Sequence, residues 1–152
     1  MTIQLVTRAD RDAWLEMRCE LWPGSRAGHA SEIERFFSGR ARNPLAVLIA
    51  RGDARRPLGF AELSIRPYAE GCSTDNVAFL EGWFVIPEAR GCGVGRALVA
   101  ECEQWARIQG CSEFASDTQP DNDTSIAAHF ALGFNDEGLV RCFSKKLRAV
   151  RV

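Results

Sequence analysis

Two carboxylates stand where a charge needs a reason. Glu81 is the one charged residue in Val77–Ile86, ten residues that are largely aromatic or β-branched. Asp117 follows the short strand-like stretch Cys111–Ser116 and opens the polar turn Asp117–Asp123. A carboxylate is costly to bury unless it is paired, and a bound cationic amine would be such a partner. An amine that is to act as a nucleophile arrives mainly as ammonium, so some group must take its proton, directly or through one water. Glu81 and Asp117 are the candidates. A salt bridge or an edge position would equally explain Glu81, and a turn cap would explain Asp117 in Asp-Thr-x-Pro.

A second feature binds rather than reacts. Val77–Ile86 runs into Pro87-Glu88-Ala89-Arg90-Gly91-Cys92-Gly93-Val94-Gly95-Arg96, and a helix pattern follows. A glycine-rich turn entering a helix exposes several N–H groups, and the helix dipole adds partial positive charge, so phosphate oxygens are favoured there. No GK[ST] follows, which excludes a Walker loop. A Rossmann turn fits poorly, because the strand comes late and no acidic residue follows about 20 residues on.

The elements that position these groups alternate between strand and helix. Ile3–Thr7 reads as a strand, and Asp10 as the N-cap of a helix to about Leu21 that Pro23-Gly24 stops. Ser25–Ala30 reads as a loop, and Ser31 with Glu34 as the capping box of a short helix to about Phe37. Leu45–Ala50 and Leu58–Arg66 read as a hairpin across the turn Arg51–Pro57. After the strand Val77–Ile86 come a helix over Gly95–Gln109, a strand over Cys111–Ser116 and a helix over Thr124–Leu132. Phe134–Leu147 is expected to hold one or two closing strands, with Arg148–Val152 a frayed tail. This order implies an α/β fold with a mixed sheet and helices on its faces. A chain of 152 residues favours a single domain over 1–152.

Composition narrows the function. Nineteen Lys and Arg against twenty Asp and Glu leave a net charge of −1, which argues against nucleic acid and against a polybasic membrane anchor. No apolar run approaches a membrane span, and Met1–Asp10 has no signal-peptide character. The six cysteines form no CxxC pair and read as reduced thiols of a cytoplasmic protein. His29 and His129 lie far apart without ligand spacing, so no metal site is expected. No Lys or Arg occurs between Arg107 and Arg141, while Glu113, Asp117, Asp121, Asp123, Asp136 and Glu137 do. That stretch is either solvated caps and loops or a negative surface for a cationic substrate.

Arg90-x-x-Gly93-x-Gly95 after such a strand resembles the acetyl-CoA pyrophosphate loop of the GNAT acetyltransferases. Asn122, then Ala128, His129 and Leu132-Gly133-Phe134, resembles the second cofactor motif of that family. Leu21-Trp22-Pro23-Gly24, Ser64-Ile65-Arg66, Phe79-Leu80-Glu81-Gly82 and Ala115-Ser116-Asp117-Thr118 narrow the likeness to its small aminoglycoside 6′-N-acetyltransferases. The likeness runs in order along essentially the whole chain.

The resemblance implies a GNAT fold whose central strands splay apart. Trp83, Phe84 and Val85 would line the acetyl and pantetheine arm, with an N–H near Val85 polarising the thioester carbonyl. Gly91, Cys92, Gly93, Val94, Gly95 and Arg96 would grip the pyrophosphate, and Asn122 would contact the arm. Trp22, Ser25, Tyr68, Glu81 and Asp117 would receive a cationic aminosugar, with Glu81 and Asp117 also catalytic. His129 stands where many GNATs carry a tyrosine that protonates the leaving thiolate; an imidazole or water would do so here. Ser25 replaces a histidine and Gly138 an acidic residue of the resembled enzymes. The likeness further implies acetyl-CoA as cosubstrate, no metal and a homodimer. A polyamine, another small amine or a protein lysine remains an alternative acceptor, and a non-catalytic CoA-binding regulator an alternative role. A pure interaction protein fits poorly, because the phosphate loop would then have no purpose.

Overall fold

Alternation along the hairpin strands sorts side chains to the two faces of a sheet. Val47 and Ile49 of β2 (Ala46–Arg51) join one buried cluster, and Leu48 and Ala50 join another. Helices cover both faces, so β2 is buried throughout. The computed structural model describes residues 1–150. Its sheet runs in the order β1 (Thr2–Leu5), β2, β3 (Pro57–Arg66), β4 (Val77–Val85), β5 (Phe114–Ser116). The first four strands pair antiparallel, while β4 and β5 are parallel. A parallel pair needs a crossover, supplied by α3 (Val94–Ile108).

Trp14, Leu15 and Met17 of α1 (Arg11–Leu21) and Ile33 of α2 (Arg26–Phe37) pack on Val47, Ile49, Phe60 and Phe84. On the other face Val94, Leu98, Val99 and Cys102 of α3 pack on Leu48, Ala61, Leu63 and Leu80. α4 (Asp123–Ala131) ends at Leu132, and Leu132 and Phe134 join this second cluster. No helix among the described residues is long and apolar enough to cross a membrane.

Three expectations are corrected. Ser25–Ala30 is no loop: Ser25 Oγ accepts from Gly28 N at 3.0 Å and caps α2, which then runs on through Ser31. Asp10 does not cap α1 with its side chain. Its Oδ2 accepts from Thr7 N at 2.7 Å and Thr7 Oγ1 at 2.9 Å, and its Oδ1 from Arg51 Nε at 3.0 Å. No strand follows β5 among the described residues, so the closing strands are missing. A strand needs a neighbour, and Leu139, Phe143 and Leu147 stand 85, 89 and 86% exposed. The part of the expected frayed tail at 151–152 lies outside the described residues.

Candidate active site

Pairing between β4 and β5 covers only Ala78, Leu80 and the residue between, opposite Phe114 to Ser116. Leu80 opposite Ser116 is the last rung. Glu81 and Asp117 are therefore the first residues past it, one on each strand. From Glu81 to Val85 the β4 edge facing β5 carries no strand partner. Such an open edge offers main-chain N–H and C=O groups to an extended ligand.

Beyond this edge lies the glycine loop. Gly91 and Gly93 have φ of +74° and +84°, which glycine adopts without penalty. The first helical bond of α3 runs from Ala97 N to Gly93 O at 3.0 Å. The N–H groups of Val94, Gly95 and Arg96 thus lack helical acceptors, and no side chain caps them. Gly91, Cys92, Gly93 and Arg96 are exposed, so anionic oxygens can reach this turn. Gly95 also makes room for Trp83, whose Cζ2 would lie 2.9 Å from an added Cβ. Trp83 Nε1 is buried without a hydrogen-bond partner among the described residues. Residues and backbone here fit a coenzyme diphosphate and its arm. Phe84 contributes to that groove by main chain alone, because its side chain is 7% exposed in the core under α1. Val94 is buried as well.

Glu81 is not a free carboxylate. Arg66 donates to it from Nε at 2.9 Å and from Nη2 at 2.6 Å, and Ser64 Oγ donates too. The register shift opposite Glu62 and Leu63 leaves Glu81 without a paired residue on β3, as in a bulge. Glu81 holds the Arg66 guanidinium above its ordinary pKa, with a smaller contribution from Asp117. Asp117 is exposed and makes no hydrogen bond among the described residues. Sequence reasoning missed Arg66 and Ser64 as partners of Glu81, although both lie in a segment it singled out.

His129 and Asn122 sit on the other side. Asn122 Oδ1 accepts from Ser125 N at 3.1 Å and caps α4. His129 Nδ1 lies 2.7 Å from Ser125 O, which can only accept, so Nδ1 carries a proton. Its Nε2 lies 2.9 Å from Ser116 Oγ. The ring meets Trp83 edge-on at 5.5 Å.

A cleft of about 610 Å³ opens beside Glu81, with Trp22, Glu62 and Arg18 also among its lining. Glu62 is 2% exposed and went unnoticed in the sequence, although it interrupts an apolar strand as Glu81 does. Burial pushes its carboxyl above the usual range, opposed by Arg18 and Trp14. Tyr68 is 64% exposed and donates to Glu70 at 3.1 Å. Ser25 Oγ is engaged as a helix cap. Glu113 accepts from the N–H groups of Ser73 and Thr74, so it organises a loop. No group of three or more His, Cys, Asp or Glu able to hold a metal occurs among the described residues.

The acetyltransferase (GNAT) family model matches residues 11–134. An aminoglycoside N(6′)-acetyltransferase type 1 from Klebsiella aerogenes is 57% identical over 146 residues, 95% of this chain and 96% of that protein. The crystal structure of an aminoglycoside antibiotic 6′-N-acetyltransferase, AAC(6′)-IG from Acinetobacter haemolyticus, superposes with a TM-score of 0.89 at 38% identity, covering 97% of this chain and 100% of the other. AAC(6′)-Iy in complex with the bisubstrate analogue CoA-S-monomethyl-acetylneamine superposes with a TM-score of 0.87 at 37% identity, covering 96% and 98%.

Proposed function

This chain belongs to the GNAT acetyltransferase family, and from that premise we infer that it transfers acetyl from acetyl-CoA to the 6′-amino group of aminoglycoside antibiotics. The product lacks one cation that the drug uses to hold anionic RNA, so the activity confers resistance. The observation that carries the chemistry is the open β4 edge, with unpaired α3 amides at one end and the carboxylates of Glu81 and Asp117 at the other. A thioester arm laid along that edge has its diphosphate at the amides and its acetyl group at the acids. The amine attacks the thioester carbonyl directly in a ternary complex. A main-chain N–H near Val85, aimed at the developing oxyanion, is worth about 3 kcal/mol of barrier.

The roles of individual residues follow from their bonding. Asp117, exposed and without hydrogen bonds, takes the ammonium proton. Glu81, held by Arg66 and Ser64, attracts and orients the amine. Trp22 and Tyr68 offer aromatic faces to sugar rings and ammonium groups. Asn122 contacts the arm.

The enzyme works as a homodimer. Residues 139–150 hold five exposed apolar side chains, Leu139, Val140, Phe143, Leu147 and Val150. They also hold Arg141, Lys145, Lys146 and Arg148 and no acid. The stretch between Arg107 and Arg141 is acidic with no Lys or Arg, so the tail of one copy complements that surface of another. Exchange of identical segments is a low-cost route to a dimer. Acetyl-CoA is a cytoplasmic metabolite, which supports a cytoplasmic place of action.

Thiol release from acetyl-CoA tests the function. Turnover is expected with an aminoglycoside carrying an amine at the 6′ position. A congener with a hydroxyl there should give none, and equal turnover of both would overturn the assignment.

A further inference from the structure

One face of β3 reads Phe60, Glu62, Ser64, Arg66, passing from apolar to charged toward the cleft. Ser64 and Arg66 serve Glu81. Glu62 serves something else. Its Oε1 accepts from Trp14 Nε1 at 2.9 Å and from Arg18 Nε at 2.8 Å. Arg18, 8% exposed, is gripped a second time by Glu32 and a third time by His29, whose Nδ1 lies 3.0 Å from Arg18 Nη1. An arginine only donates, so His29 Nδ1 is the acceptor.

This anchored guanidinium has one remaining neighbour of consequence. Its Cζ lies 5.0 Å from the centroid of the Trp22 ring. The six-membered edge of that ring lies against the sheet at Gly82, where an added Cβ would lie 2.4 Å from Trp22 Cη2. Gly82 is paired with Glu62 and adjoins Glu81. Phe60 meets the indole edge-on at 6.5 Å. Trp22 is thus in contact with both Arg18 and the sheet at Gly82, and Glu62 holds Arg18 in place.

Stability alone gives no reason for this arrangement. A buried ion pair replaced as a whole by apolar residues is often neutral or better for folding, whereas removal of one member leaves a costly charge. What an apolar pair cannot do is hold an aromatic face by a cation–π contact. We propose that Arg18 and Glu62 are positioning residues for the acceptor: through Trp22 they set the width of the cleft beside Glu81, and so the affinity for the aminosugar. This rests on the acceptor reading above and extends it to residues that need not touch the ligand.

The test is steady-state kinetics on the paired variant Arg18→Met with Glu62→Leu, in the full chain. The KM for the 6′-amino acceptor is expected to rise about tenfold, the size that loss of one desolvated cation–π contact carries. The KM for acetyl-CoA and CoA affinity by calorimetry should stay at the wild-type value. In a Trp22→Ala background the same pair should add nothing to the acceptor KM, because its route is already gone. An unchanged acceptor KM, or an equal rise in the Trp22→Ala background, overturns the proposal. If the paired variant does not fold, Arg18→Lys keeps the charge without the planar fork and should show part of the rise. A wild-type KM in that variant overturns the proposal as well. Wild-type turnover, measured first, decides the acceptor reading separately.

Discussion

Arg66 grips both carboxylate oxygens of Glu81, from Nε at 2.9 Å and from Nη2 at 2.6 Å. Its guanidinium also lies 3.5 Å from the centroid of Phe79, which fixes it from behind. Both oxygens of Glu81 are already committed to fixed donors, which suits it to orient a cation. The two acids past the last β4–β5 rung therefore differ in bonding, and their substitutions should differ in kinetics.

Replacing Asp117 by Ala should lower kcat about 100-fold, the loss expected when a general base is removed. The KM for acetyl-CoA should not move. Steady-state assays that varied each substrate in turn would show this, and a kcat within twofold of wild type would remove Asp117 as the base.

Glu81→Ala strands the Arg66 cation in the cleft proposed to receive ammonium groups. Acceptor KM should rise about tenfold, the scale of one unfavourable charge contact. Adding Arg66→Ala should recover part of that loss. If the double variant binds acceptor no better than Glu81→Ala, the repulsion argument is wrong.

Gly93→Ala puts a side chain at φ +84° with no steric obstacle, since nothing lies within 4 Å of the added Cβ. The left-handed conformation costs a non-glycine residue about 1–2 kcal/mol, so the loop shifts and the α3 amides lose their aim. CoA affinity by calorimetry should fall about tenfold, with little change in melting temperature.

Burial by itself would raise the Asp10 carboxyl, but the Thr7 N–H and Arg51 outweigh it and hold the pKa below its ordinary value. An acid depressed in the folded state stabilises above its unfolded pKa, about 3.9. That stability is lost as pH falls through the lower, folded value. Asp10→Asn should cost about 3 kcal/mol at pH 7, because Arg51 is left buried and unpaired. The gap between wild-type and variant melting temperatures should then narrow on acidification below pH 4. A constant gap down to pH 2 would contradict the linkage.

Removing residues after Gly138 deletes the exposed apolar and basic tail. Light scattering should give a dimer for the full chain and a monomer for the shortened one. A monomeric full chain, or a dimeric truncation, would discard the tail as the assembly element.

Local chemistry made part of this protein readable from its residues. The glycines at 91, 93 and 95 between a strand and a helix dictate a turn of exposed amides whatever surrounds it, because positive φ and missing Cβ atoms are properties of the chain itself. Glu81 inside one apolar stretch and Asp117 at the end of another were equally legible. Bonding partners were not. Arg66 lies 15 residues from Glu81 and Glu62 lies 44 from Arg18, and only the register of β3 on β4 and the docking of α1 bring them together. The helix through Ser25–Ala30 hid because Gly28, a poor helix former, stands in its first turn just after Pro23-Gly24. The missing closing strands hid for the opposite reason. Phe134–Leu147 has a strand-like composition, yet a strand forms only by docking on an edge, and among the described residues the outer edge of β5 stays unpaired. Sequence thus determined which groups were present and where the backbone must turn. Tertiary structure decided which carboxylate stays free, since burial and ion pairing are set by distance in space.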